Sequence, residues 1–156
     1  MEKKVNMICF DLDGTLADFY NVPNWLPKLR AENPSPYLDA SPLWDMERLG
    51  ATLRKLQKTG YEIRIITWLS KNSSENYKAK TREAKKEWLK RYNFPYDHFH
   101  GIAYGTTKAN CVRKLAKTAI LVDDNSKIRA GWHLGSTVDP TTENVIERME
   151  ALIYKN

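Results

Sequence analysis

Two aspartates one residue apart, Asp11 and Asp13, end the apolar run in "ICFDLDGTLADF", and a second acidic pair, Asp123 and Asp124, ends "AILVDDN". Thr67 closes another apolar run, "YEIRIIT", and Lys108 stands in "GTTKANC". Carboxylates gathered in one place raise one another's pKa, and burial adds to the penalty, so such a cluster calls for a counter-ion. A hard divalent cation that prefers oxygen ligands, Mg²⁺, meets that need. It would also bind a phosphoryl oxygen and neutralise charge that develops during transfer. A calcium EF-hand is excluded, because Gly14 falls at loop position four instead of six and Val22 stands where the bidentate glutamate belongs. "GIAYGTTK" lacks the closing Gly-Lys-Ser/Thr order of a P-loop. His98 and His100 alternate along a strand with no cysteine or acid at zinc-like spacing, which reads as packing or surface.

These residues need a scaffold that delivers them to one place. Residues 4–10, 61–67, 98–104 and 119–123 read as short buried strands, separated by helical patterns. Ser41-Pro42 predicts a helix start, with Met46, Leu49, Leu53 and Leu56 on one face and Gly60 as its stop. Tyr77, Thr81, Ala84, Trp88 and Tyr92 predict the packing stripe of a long helix from Ser73 or Ser74, with the lysines of "NYKAKTREAKKEWLKRY" on its solvated face. A short helix near 107–116 and a last one from Asp139-Pro140, with Val145, Met149 and Leu152 inward, complete the alternation. Alternating strands and helices predict an α/β fold with a parallel sheet covered on both faces, and ligands at the carboxyl ends of its strands. Asp11, Asp13, Thr67, Lys108, Asp123 and Asp124 then all arrive at one edge.

At 156 residues the chain predicts one domain spanning 1–156, in which the proline- and aromatic-rich residues 19–43 form a small cap or flap over those strand ends. Cys9 and Cys111 make no disulfide framework, and the amino-terminal apolar run is too short and too broken for a signal peptide or membrane span. A cytoplasmic protein with no membrane partner is expected. The formal charge of +6 favours an anionic partner, such as a nucleotide, a phosphate ester or nucleic acid.

"DLDGT" after the first strand, the threonine of "IRIITW", the lysine of "GTTKANC" and the acids of "ILVDDN" resemble the haloacid dehalogenase (HAD) superfamily of phosphohydrolases across almost the whole chain. That resemblance implies a Rossmann-like three-layer sandwich. It implies Asp11 as the nucleophile that forms an aspartyl-phosphate and Asp13 as general acid and base. Thr67 and Lys108 would bind the phosphate, and magnesium would rest on Asp11, the backbone carbonyl of Asp13, and Asp123, with Asp124 beside it. A dehalogenase needs only the nucleophile, so the second aspartate favours a phosphatase. Within the superfamily, "DLDGTLADF", "KKEWLKRYN" and "LVDDN" are most similar to the 5'(3')-deoxyribonucleotidases. A small phosphorylated substrate of nucleotide type is therefore expected, with Phe19, Trp68 and Lys71 as substrate-binding residues, although the cap aromatics could equally form the cap's own core. Two alternatives remain: a phosphatase for nucleic-acid ends, and a non-catalytic HAD-fold binding protein, whose signature would have been loss of Asp11 or Asp13.

Overall fold

The computed structural model describes residues 3–155. Five strands, β1 (Val5–Phe10), β2 (Glu62–Trp68), β3 (His98–Ile102), β4 (Ala116–Val122) and β5 (Thr137–Val138), form one parallel sheet in the order β3-β2-β1-β4-β5. The six helices in chain order are α1 (Trp25–Arg30), α2 (Ser35–Asp39), α3 (Met46–Lys58), α4 (Glu75–Arg91), α5 (Ser126–Ala130) and α6 (Val145–Ile153). Helices flank the sheet, giving a Rossmann-like three-layer α/β sandwich. Among the described residues no helix is long and apolar enough to cross a membrane.

Alternation along β1 explains why both faces must be covered. Ile8 and Phe10 join Leu49, Leu53 and Leu56 of α3, Trp88 of α4 and Met149 of α6, while Met7 and Cys9 join Val112, Leu121 and Trp132 on the other side. All four β1 residues are fully buried, as expected of a central parallel strand. Among the described residues the first face carries α3, α4 and α6, and the second carries only α5 and a 3₁₀ turn, Lys108–Cys111.

The sheet differs from the sequence expectation at its margins. The helix expected over 107–116 is that one 3₁₀ turn, and the strand expected over 98–104 ends at Ile102. α3 begins at Met46 under an Asp45 cap, not at Ser41-Pro42, because those residues serve another purpose. Ser41 accepts from the Asp18 N–H at 2.8 Å, Leu43 donates to the Leu16 carbonyl at 2.8 Å, and Ala17 bridges Pro42. The segment between them therefore leaves and returns at one point beside the β1 loop. α6 starts after Asn144, which accepts from the Glu147 N–H, while Asp139 instead accepts from Thr141 and pairs with Arg129 at 3.2 Å.

Candidate active site

β1, β2 and β4 are neighbours, so the residues that follow them meet at their carboxyl ends. Asp11, Asp123 and Asp124 each offer a carboxylate oxygen, and these oxygens lie within 4.8 Å of one another. Lys108, itself buried, donates to Asp11 Oδ1 at 3.0 Å and to Asp123 Oδ2 at 2.8 Å. Thr15 Oγ1 donates to Asp11 Oδ2 at 2.9 Å and accepts from the Asp124 N–H at 3.1 Å, so one hydroxyl ties the two acidic loops together. The loop between Asp11 and Thr15 turns at Gly14, with φ +82°. Trp44 fixes it from outside, donating Nε1–H to the Thr15 carbonyl at 2.8 Å.

The electrostatics follow from that packing. Burial pushes the Asp11 carboxyl up, but the Lys108 charge and the hydrogen bonds from Asp124, Lys108 and Thr15 outweigh it and hold Asp11 below the usual carboxylate range. Burial and the neighbouring Asp11 raise Asp123 to about 6, and burial with the Asp11 interaction raises Asp124 to about 7. Burial disfavours the Lys108 cation, yet the Asp11 and Asp123 charges more than compensate and raise its pKa. One lysine thus serves two of three acids, and the cluster is left short of positive charge. Three oxygen donors in that state fit a hard divalent cation bound to Asp11, Asp123 and Asp124.

Asp13 lies on the other flank and has its own cation. Lys85 Nζ stands 3.0 Å from Asp13 Oδ2, donates to Thr67 Oγ1 at 2.7 Å and to the Trp68 carbonyl at 2.9 Å, and is 1% exposed. The ring centroid of Tyr37 is 5.0 Å away. The lysines of this helix are expected on its solvated face; Lys85 instead shares the buried face of α4 with Tyr77, Thr81, Ala84, Trp88 and Leu89. Burial raises the Asp13 pKa, with Lys85 opposing and Asp11 reinforcing the shift. Because Lys85 fills an acceptor site on Thr67, the Thr67 hydroxyl keeps its own proton to donate into the cleft.

The remaining expected residues are spread around a cleft of about 1170 Å³ whose walls include Asp11, Asp13, Thr67, Lys108, Asp123 and Asp124. Phe19 lines it but is 2% exposed, stacked on Tyr37 at 4.8 Å and in contact with Trp25 at 5.4 Å. It packs the segment 19–43 instead of offering a free face. Trp68 donates Nε1–H to the Thr106 carbonyl at 2.9 Å and has Lys108 Nζ 5.7 Å from its ring. Lys71 is exposed, its Nζ 5.7 Å from the Tyr104 ring. Lys114 and Lys117 are exposed. Thr15 and Lys85 hold places that composition and motif do not assign; the threonine of "DLDGT" is a signal within reach, and so is the spacing of Lys85, four residues after Thr81 and three before Trp88, which sets it apart from Lys86.

No protein-family model and no curated protein matches this chain. Among solved structures it is similar in fold to chains described as the Pnkp1/Rnl/Hen1 complex and the Pnkp1/Rnl/Hen1 RNA repair complex. Each has a TM-score of 0.54 and 16% identity, over 88% and 89% of this chain. This chain spans less than half of those chains, 46% and 44% of their lengths. At that identity the likeness concerns the fold.

Proposed function

We propose that this protein is a magnesium-dependent phosphomonoesterase of HAD type, working through an aspartyl-phosphate on Asp11. The observation that carries the reading is the pairing of an ionised, hydrogen-bonded Asp11 with a raised-pKa Asp13, each backed by its own buried lysine. An Asp11 oxygen attacks phosphorus, and the ester P–O bond breaks as the leaving oxygen takes the proton of Asp13. Asp13, now a carboxylate beside Lys85, takes a proton from water; the water oxygen bonds to phosphorus, the acyl-phosphate P–O bond breaks, and Asp11 is regenerated. Lys108 and the Thr67 hydroxyl bind phosphoryl oxygens throughout. Bound at Asp11, Asp123 and Asp124, magnesium would supply the positive charge that phosphoryl oxygens need.

The substrate belongs to the nucleotide class on this reading, because the cleft combines anion-binding lysines with aromatic walls. A mononucleotide follows from the deoxyribonucleotidase resemblance. A phosphorylated nucleic-acid end is the second reading, favoured by the open cleft on a chain of formal charge +6 and by the RNA repair assembly to which the similar folds belong. Phosphate release measured with and without magnesium, across nucleotides, sugar phosphates and phosphorylated oligonucleotides, tests the reading. Asp11→Asn should fold normally and lose at least about 10³-fold in kcat. Undiminished magnesium-dependent turnover in that variant would reject Asp11 as nucleophile.

A further inference from the structure

Two aromatic side chains stand open beside the phosphate site, and they come from different elements. Tyr20, from the segment 19–43, is 54% exposed, and Tyr104, from the loop after β3, is 55% exposed. Tyr104 is braced. It sits in a tight turn in which the Thr106 N–H donates to the Ala103 carbonyl at 3.1 Å and Gly105 takes φ +85°. Its ring lies 4.9 Å from that of Trp68, which is itself tied to the Thr106 carbonyl. On the far side of this pair a second hollow of about 460 Å³ opens, and it shares Trp68, Tyr104, Lys108 and Lys127 with the main cleft. Its walls add Thr106 and Thr107, both exposed, together with the apolar Ile128 and Trp132, so it offers a largely apolar surface with Lys108 and Lys127 where the phosphate site adjoins it.

We propose that this second hollow is a subsite for the nucleotide adjacent to the phosphate-bearing end of a single-stranded nucleic acid. The next base enters the hollow and stacks on Tyr104, displacing the Lys71 ammonium that lies 5.7 Å from its ring centroid, and its phosphodiester is met by that lysine from the main cleft and by Lys127, which lines both hollows. A mononucleotide has one base and no phosphodiester, so it leaves one aromatic face and both lysines unused. A chain of two or more nucleotides uses all of them. The inference rests on the phosphomonoesterase reading and names the substrate that this reading left between two choices.

The test compares kcat/KM for phosphate release from thymidine mononucleotide and dinucleotide, each carrying a terminal 5'- or 3'-phosphate, in magnesium. With the subsite, the dinucleotide is favoured by about tenfold or more for the end that is cleaved, and Tyr104→Ala brings the ratio close to one. A binding assay runs alongside: anisotropy of a labelled, terminally phosphorylated oligonucleotide on the Asp11→Asn protein, with and without Tyr104→Ala. The second substitution should weaken binding about tenfold, a factor that changes little with salt, because stacking neutralises no phosphate. Equal kcat/KM for both lengths, or unchanged binding on losing Tyr104, overturns the subsite while leaving the phosphatase intact. Oligonucleotide binding through Tyr104 without phosphate release from any ester overturns the phosphatase and leaves the subsite standing.

Discussion

A methyl group added at Gly14 would lie 2.4 Å from Asp124 Oδ2, and the backbone there has a φ of +82° that side chains avoid. Gly14→Ala should therefore displace either the Asp11 loop or the Asp124 carboxylate. The expected result is loss of most magnesium-dependent phosphate release in a protein that remains folded by circular dichroism; wild-type turnover would mean that Asp124 does not help hold the cation. Lys85 offers a sharper comparison between its two possible places. A lysine on a solvated helix face can be replaced within about 0.5 kcal/mol, whereas removing one partner of a buried ion pair costs about 3–5 kcal/mol. Asp13 is partly open to solvent and can take up a proton, so Lys85→Met should cost about 2–3 kcal/mol, lowering Tm by roughly 5–10 °C in calorimetry. Lys80→Met, at an exposed position of the same helix, should change Tm by no more than about 1–2 °C. A Tm for Lys85→Met close to that of the wild type would mean that its contacts with Asp13 and Thr67 contribute nothing to stability.

α4 is the element that joins the site to the segment 19–43. Trp88 Nε1–H donates to the Ala40 carbonyl at 2.8 Å, Arg91 donates to the Leu38 carbonyl at 2.7 Å, and Ser74, the helix cap, binds Glu32 with both its N–H and its hydroxyl. Trp88→Phe keeps one six-membered ring, opens a cavity where the pyrrole stood and leaves the buried Ala40 carbonyl without its donor, a combined loss of about 2–4 kcal/mol, or roughly 5–12 °C in Tm. Cleavage between residues 19 and 43 in limited proteolysis should quicken with it, and an unchanged digestion pattern would show that the bond does not hold this segment. The stripe that makes α4 legible as a helix is apolar, and Tyr77, Thr81, Ala84 and Trp88 repeat at helical spacing. Lys85 sits on the same stripe at helical spacing, four residues after Thr81 and three before Trp88; its charge hides it, because nothing in the sequence announces the Asp13 partner beside which a lysine can be buried. β5 was equally silent: two residues carry no periodicity, and it is ordered by pairing with Leu121 and Val122. β1, β2 and β4 were legible because burial on both faces forces apolar runs, and the acids after β1 and β4 stand out beside them, whereas the edge strand β3, with no buried residue, shows only alternation.

At the scale of the whole molecule, one question is why a chain of formal charge +6 concentrates acids at its most buried strand ends. In the absence of a cation those acids work against the fold. Asp123 and Asp124 hold protons more tightly in the folded chain, at about 6 and about 7, than an unfolded carboxyl does. Their contribution to stability is therefore complete below about pH 4 and is lost as pH rises through about 6 and 7. A divalent cation competes with the same protons, so it binds weakly where the acids are protonated and strongly where they are ionised. Addition of about 5 mM MgCl₂ should raise Tm little at about pH 5 and several degrees at about pH 8. The apparent magnesium affinity should fall by about tenfold or more per pH unit below pH 6. Asp123→Asn should flatten both dependences, since it removes one of the two titrating ligands, and the comparison needs no turnover. An equal magnesium shift at the two pH values, or one that survives loss of Asp123, would place the cation elsewhere on the molecule and separate the acidic cluster from the chemistry assigned to it.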